Sequence, residues 1–257
     1  MKNKSVIIIC GDPESTFNEI LIKTLKNKIL KKMNIPIIVI CSKKLFKNEL
    51  KKLKTKLNFQ DFNYQNSSLK NRIYLIDVPL NFKKLSLSKK NEYINKSFET
   101  GLNLIKKNNS STLINGPISK TTFLKGRHNG ITEFLALKTK SLNEVMLIFN
   151  KELSVSPITT HVHINKVTEK IKKKLIINKI KNINEFYKKF LGFKPNIAIT
   201  GLNPHCETFT GKNIEKKEIF PAIKFLKKKK IKVSGPFSAD TVFLKENRKN
   251  FNVIVGM

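Results

Sequence analysis

Nowhere does the chain carry an apolar run near the ~20 residues that a membrane-crossing helix needs. The opening MKNKSVIIICGDP has too short an apolar segment for a secretory signal. Together these absences predict a cytoplasmic protein with no membrane partner. Cysteine is scarce: Cys10, Cys41 and Cys206 are odd in number and lack CxxC spacing, which argues against a disulfide framework and fits a reducing compartment. Arginine is scarce as well, occurring only as Arg72, Arg127 and Arg248, although the net charge is +33. Specific nucleic-acid readers lean on Arg for bidentate contacts, whereas here Lys is spread along the whole length among Ile and Asn. That pattern reads as drift toward an AT-rich genome, so no specific nucleic-acid partner is expected. The positive field still favours small anionic substrates.

Several enzyme fingerprints are missing too. No GxGxxG follows a strand, and no GxxxxGK[ST], GxSxG, HExxH or zinc-finger spacing occurs. Repeats, coiled-coil heptads and Gly-, Pro- or Ser-rich linkers are also absent.

What is present is a globular composition, 40% hydrophobic over 257 residues, enough for one large core or two modest ones. Short β-branched runs alternate with amphipathic stretches. Ser5–Cys10, Ile35–Cys41, Arg72–Val78, Thr112–Ile114, Glu144–Phe149, Leu153–Thr160, Pro195–Thr200, Lys232–Gly235 and Phe251–Val255 read as strands or extended segments. Helices are predicted from Ser15 or Thr16 to about Lys32, and over Lys43–Lys54, Ser88–Lys107, Glu133–Leu137, Val167–Leu191 and Glu215–Lys229. A further short helical stretch is expected after Lys120, whereas Asn58–Lys70 reads as irregular. The alternation implies an α/β fold with a largely parallel sheet. A strand at the extreme carboxyl end, with no helix after it, is expected to leave a sheet face poorly covered.

Chemistry in such folds gathers at the carboxyl ends of strands. The loops there are GDPES (11–15), NGPISK (115–120), GITEF (130–134), TTHVH (159–163), GLNPHCE (201–207) and SADT (238–241). His161 and His205, on separate strand ends, are able to share a metal through their ring nitrogens, although a divalent ion needs a further ligand. His163 would face the same side as His161 on an extended strand and is a reserve candidate. His128, in a basic loop, reads as a surface residue.

In this order, NGPISK, GITEFLA, TTHVHINKV, GLNPHCE and GPFSADTVF resemble the 4-hydroxythreonine-4-phosphate dehydrogenase (PdxA-type) family of pyridoxal phosphate biosynthesis, over nearly the whole chain. The resemblance implies an isocitrate- and isopropylmalate-dehydrogenase-like three-layer α/β/α fold with two subdomains and a cleft, here 1–124 and 125–257. It implies a cytoplasmic homodimer with its active site at the dimer interface. It also implies oxidation of a phosphorylated β-hydroxy amino acid, 4-phosphooxy-threonine, with NAD or NADP. The β-keto acid formed would lose CO2 to give 3-amino-2-oxopropyl phosphate, assisted by a divalent metal (Zn, Mg or Co) on three His. His161 and His205 look like two of those ligands, and Thr132 like the substrate-binding Thr. Lys120, Asp240 and Thr241 lie in motifs that line the family's cleft, with Lys120 and Asp240 as catalytic candidates. Lys120 also reads as a solvated residue at a helix start, and Asp240 as a helix cap or turn acid.

Two departures stand out. The family has His before the substrate Thr, where this chain has Ile131, which cannot donate to a substrate oxygen. The strand like FNVIVGM leads, in the family, into Tyr-His-Asp-Gln with the third metal ligand; this sequence stops at Met257. The expectation is a fragment or shortened form with an incomplete metal site. The alternatives are a catalytically impaired remnant and a sister dehydrogenase for another phosphorylated hydroxy acid.

Overall fold

A computed structural model describes the chain except for residues 1–4, 28–29, 31–34, 64–71, 82–84, 109–111, 125–129, 142–143 and 207–212. His128 and Glu207 therefore lie outside the described residues. Contacts divide the chain into two compact units, Met1–Ile131 and Thr132–Met257.

The first unit is built on five parallel strands: β1 (Val6–Ile9), β2 (Ile37–Cys41), β3 (Gln60–Asp61), β4 (Ile73–Asp77) and β5 (Thr112–Asn115), in the order β3-β4-β2-β1-β5. Alternate side chains serve opposite faces, as a pleated strand requires. Ile8, Cys10, Val39, Cys41 and Leu75 pack with α1 (Phe17–Leu25) and α2 (Lys43–Lys52) through Leu21, Ile22, Phe46 and Leu50. On the other face α3 (Leu87–Asn108) brings Gly101 against Ile9 and Ile40. Ser42 caps α2, its hydroxyl accepting from the Leu45 N–H at 3.4 Å, and the Asp77 carboxylate accepts from the Lys43 N–H at 2.8 Å. Cys10 and Cys41 are buried; a hydrogen bond between the thiols, then burial, holds Cys41 well above the usual thiol range.

Four parallel strands form the second sheet: β6 (Ser154–Pro157), β7 (Ile197–Thr200), β8 (Val233–Phe237) and β9 (Val253–Gly256), ordered β6-β9-β7-β8. The terminal strand is thus interior rather than poorly covered. Val253 and Val255 face the core made with α6 (Lys173–Phe186) and α7 (Phe220–Lys228), while Ile254 joins Ala198 and Val242 on the other face. All three side chains are wholly buried, each contributing roughly 1.5–3 kcal/mol relative to exposure.

Several predicted boundaries move. Helix α1 ends at Leu25, short of Lys32. Residues 120–124 form turns rather than a helix, and Gln60–Asp61 is a strand inside the segment read as irregular. Helix α4 spans Ile131–Thr139. The run Glu144–Phe149 is not a strand; among the described residues it makes one antiparallel bridge, Ile148 with Val155, and its Met146 carbonyl accepts instead from the Ser156 hydroxyl at 2.7 Å. The expected single helix over 167–191 breaks. After a 3-10 turn (Ile164–Lys166) and α5 (Val167–Lys170), the backbone extends at Ile171 and Lys172 before α6 begins. Ile171 is buried there, and the Glu218 carboxylate accepts from the Lys173 N–H at 2.7 Å, satisfying the new helix start. A π-helical turn, Tyr187–Leu191, closes the segment at Gly192. The helix predicted over 215–229 is a π-helical turn, Glu215–Ile219, followed by α7, and α8 (Lys245–Arg248) precedes β9.

Gly235, within β8, has φ +129°, and a Cβ there would stand 2.2 Å from the Ile199 carbonyl oxygen. Gly235→Ala is expected to lower unfolding stability by more than ~2 kcal/mol, through backbone strain and steric conflict together. Urea denaturation followed by circular dichroism measures this; an unchanged midpoint would contradict the close approach.

Candidate functional site

The register of the second sheet aligns its carboxyl ends. Pro157 of β6 pairs with Gly256 of β9, and Thr200 of β7 pairs with Phe237 of β8. Three of the candidate loops, 158–161, 201–206 and 238–241, therefore leave one edge of one sheet. Strand β9 separates β6 from β7, setting their carboxyl ends about 10 Å apart by strand spacing. Thr159 ties the first loop to β9: its N–H and hydroxyl donate to the Met257 carbonyl at 3.3 and 2.8 Å.

On the first loop His161 is exposed and holds φ +54°, a left-handed conformation uncommon for a residue with a Cβ. Such strain, on the order of 1–3 kcal/mol, persists where surroundings enforce it and concentrates at functional sites. His161 lines a small cavity with Thr132, Glu133, Glu144, Met146, Thr160 and Lys179. Its volume of about 20 Å³ admits a single water-sized group. The Thr160 hydroxyl donates to Glu133 Oε1 at a long 3.4 Å, and Glu133 Oε2 is buried without a hydrogen-bond partner. Burial pulls the Lys179 pKa down, opposed by the charges of Glu144 and Glu133. His163 does not join this cavity; it precedes the 3-10 turn, and its Nδ1 pairs with Asn165 Oδ1 at 2.9 Å.

The second loop is a tight turn. Asn203 Oδ1 accepts from the His205 N–H at 2.9 Å, and the Asn203 carbonyl accepts from the Cys206 N–H at 3.1 Å. A Cβ on Gly201 would meet Cys206 Sγ at 2.8 Å and the Asn203 carbonyl oxygen at 3.1 Å, so the turn packs closely over this glycine. Cys206, next to His205, also has a positive φ of 58°. Beneath the loop lies Glu215, 1% exposed; its Oε1 accepts from the N–H groups of Leu202 at 2.9 Å and Asn203 at 3.1 Å. His205 itself is exposed.

On the third loop Asp240 is exposed and held below the usual carboxylate range. The Ser238 hydroxyl is the main cause; the N–H groups of Asp240 and Thr241 and the charge of His205 add to it and overcome desolvation. The turn role and the proximity to His205 thus coexist. The Thr241 carbonyl accepts from the Leu244 N–H at 3.1 Å and from Asn247 Nδ2 at 2.9 Å.

The structure thus places His161 and Thr132 around one cavity, and Asp240 within the electrostatic field of His205. Lys120 lies exposed in a turn of the first unit, and Ile131 begins α4, half-buried. His161 and His205 suit a borderline divalent ion in kind. In number they fall short: among the described residues no three His, Cys, Asp or Glu side chains cluster so as to hold a metal. Sequence reasoning missed Glu133, Glu144, Lys179 and Glu215, which reach their places through tertiary contacts. An acid in the first helical turn after GLNPHCE was the sole signal for Glu215. A larger cavity of about 910 Å³ lies beside the amino ends of β2 and β4, lined by Lys56, Leu57, Phe59 and others, and includes none of the candidate residues.

A family model described as "Pyridoxal phosphate biosynthetic protein PdxA" matches residues 32–257. A 4-hydroxythreonine-4-phosphate dehydrogenase of Sulfurihydrogenibium sp. (strain YO3AOP1) is 35% identical over 257 residues, covering 97% of this chain and 78% of the relative. One of Aquifex aeolicus (strain VF5) is 28% identical over 258 residues, covering 96% and 78%. A crystal structure of a 4-hydroxythreonine-4-phosphate dehydrogenase from Burkholderia phymatum matches with a TM-score of 0.81 at 24% identity, covering 98% of this chain and 79% of that one. That last likeness supports the fold.

The depressed Asp240 pKa gives a pH prediction. A group whose folded pKa lies below its unfolded value stabilises the fold above the unfolded value, near 3.9, and loses that contribution as pH falls through the folded pKa. Carboxyl-carbon NMR is expected to place the Asp240 midpoint below ~3.9, and Ser238→Ala to raise it. A midpoint unmoved by Ser238→Ala would remove the hydroxyl as the cause.

Proposed function

This chain belongs to the PdxA family of pyridoxal phosphate biosynthetic proteins, a family of dehydrogenases, and from that premise we propose its reaction and the residues that carry it. The reaction is NAD(P)-dependent oxidation of 4-phosphooxy-threonine to a β-keto acid, which decarboxylates to 3-amino-2-oxopropyl phosphate. The observation that carries the assignment of residues is the shared cavity of Thr132 and His161, joining GITE to TTH at a sheet edge that also bears GLNPH and SADT. Both curated relatives above carry the 4-hydroxythreonine name, which disfavours a sister substrate.

In this reading the Thr132 hydroxyl binds a substrate oxygen. Ile131 adds no hydrogen bond beside it, leaving that task to neighbours. Asp240, kept anionic by its turn, is available to accept a hydrogen bond from substrate, and Lys120 is the candidate cation for the substrate's anionic groups. Backbone N–H groups at helix starts add to the hold on phosphate. The imidazoles of His161 and His205 would hold a divalent ion (Zn, Mg or Co), which, when bound, lowers the pKa of a coordinated hydroxyl. The nicotinamide cofactor, NAD or NADP, supplies the hydride acceptor.

The proposed assembly is a homodimer with the active site at its interface. An apolar surface in the second unit supports it: Ile148 and Phe149 are exposed, Phe149 meets Phe186 edge-on at 6.4 Å, and Phe190 lies tilted against Phe186 at 5.3 Å. No helix among the described residues is long and apolar enough to cross a membrane; a cytoplasmic placement is part of this proposal.

The test is spectrophotometric reduction of NAD or NADP with 4-phosphooxy-threonine. His161→Ala and His205→Ala are each expected to lower kcat/KM by at least ~100-fold, and Thr132→Ala to act mainly through KM, by ~10-fold or more. Unchanged turnover in His205→Ala would remove it from the site. Sedimentation is expected to show twice the chain's mass; a monomer with full activity would exclude a shared site.

A further inference from the structure

The loop that carries His205 is held from below by a carboxylate that none of the motifs includes. Glu215 is almost wholly buried, an unusual place for an acid in a chain with only 18 Asp and Glu against 51 Lys and Arg. One oxygen, Oε1, receives two successive backbone N–H groups, those of Leu202 and Asn203, at 2.9 and 3.1 Å. Successive N–H groups converging on one point form a small anion-binding concavity, and here a side chain of the same chain fills it. From Asn203 the order passes on: its Oδ1 accepts from the His205 N–H at 2.9 Å, and its carbonyl accepts from Cys206. A continuous relay of two hydrogen bonds therefore runs from the Glu215 carboxylate through Asn203 to the His205 backbone.

The sheet alone does not supply this order. The last ladder contact on this side is the Gly201 N–H donating to the Phe237 carbonyl at 2.9 Å, four residues before His205. Beyond it the backbone has left the sheet, and Glu215 is the acceptor for its next two N–H groups. Residue 215 also sits in the first turn of the helical segment that continues into α7, where free N–H groups favour an anion. Ala222, Ile223 and Leu226 of α7 are buried in the second unit's core. The carboxylate is thus referenced to the core, and through it so is the loop.

We propose that Glu215 is a positioning residue: it fixes the backbone that sets the His205 imidazole over the sheet edge, without itself touching substrate. This rests on the assignment of His205 to the active site, but the grip on the loop is testable by itself. The relevant property is an acceptor of the right reach. Gln keeps the carbonyl oxygen at the same distance, Asp retracts it by one methylene, and Ala removes it.

Two measurements on the full chain decide the matter. In hydrogen–deuterium exchange, Glu215→Ala and Glu215→Asp are expected to speed exchange of the Leu202 and Asn203 amides by at least ~30-fold, while the β7 amides stay protected and Glu215→Gln remains near the parent. In turnover with 4-phosphooxy-threonine, Glu215→Ala is expected to lower kcat by at least ~30-fold with KM changed less than ~3-fold, and Glu215→Gln to restore most of it. Loss of protection in β7 as well would mean general unfolding of the Ala variant. The Gln and Asp pair then decides, since failure of Gln to outperform Asp overturns the proposal. Faster loop exchange with unaltered kcat would show a grip that does not serve catalysis, and would also overturn it. A parent chain inactive on this substrate would instead count against the assigned reaction, with the exchange data still reporting whether Glu215 holds the loop.

Discussion

Parallel pairing of β6, β9, β7 and β8, in register except for a bulge in the β7–β8 ladder between Ala198 and Thr200, is the constraint on which the rest of the second unit depends. Parallel strands share a direction, so their carboxyl ends share an edge, and the ladder lines up Pro157 with Gly256 and Thr200 with Phe237. The strip Val253-Ile254-Val255 occupies the middle and sends alternate side chains into the two cores. A one-residue slip would exchange those faces and bury the wrong side chains. The positions of the TTH, GLNPH and SADT loops thus follow from hydrophobic packing well below them.

Above that edge, order is supplied by acids. In a chain with net charge +33, acidic side chains are few, and several of them hold backbone N–H groups. Glu215 takes two N–H groups of the His205 loop, Glu218 satisfies the start of α6, and Asp77 accepts from the start of α2. Where acids do meet a lysine in a sheltered place, as Asp12 and Glu14 do with Lys90 at 2.9 and 2.7 Å, burial lowers the Lys90 pKa and their hydrogen bonds and charges more than restore it. The remaining ion pairs are largely between exposed groups close in sequence and contribute little individually. The excess of lysine shapes the field around the molecule more than its fold.

Much of the architecture was legible in the residues. Runs such as VIII, IIVIC and IAIT become strands because β-branched residues suit a sheet buried on both faces. The failures have particular causes. EVMLIF has the composition of a strand but finds one bridge. The Lys-rich stretch from 167 to 191 has helical periodicity throughout, yet burial of Ile171 and the cap from Glu218, 45 residues away, break it. Of the candidate site, His161, His205, Thr132 and Asp240 were visible through ordered motifs. Their pairing was not: Thr132 shares a cavity with His161, whereas Asp240 lies in the field of His205.

The sequence by itself determined the class of fold, the succession of strands and the loops that bear polar groups, because hydrophobic period and turn residues are local properties. It also determined the family, through five motifs in order. Only the tertiary structure decided that the last strand is central, that His161 takes a left-handed backbone, and that Glu215 lies buried under the His205 loop. Those facts depend on which segments meet across long stretches of chain, and hydrogen bonding and burial at such meetings leave no periodic trace in the residues themselves.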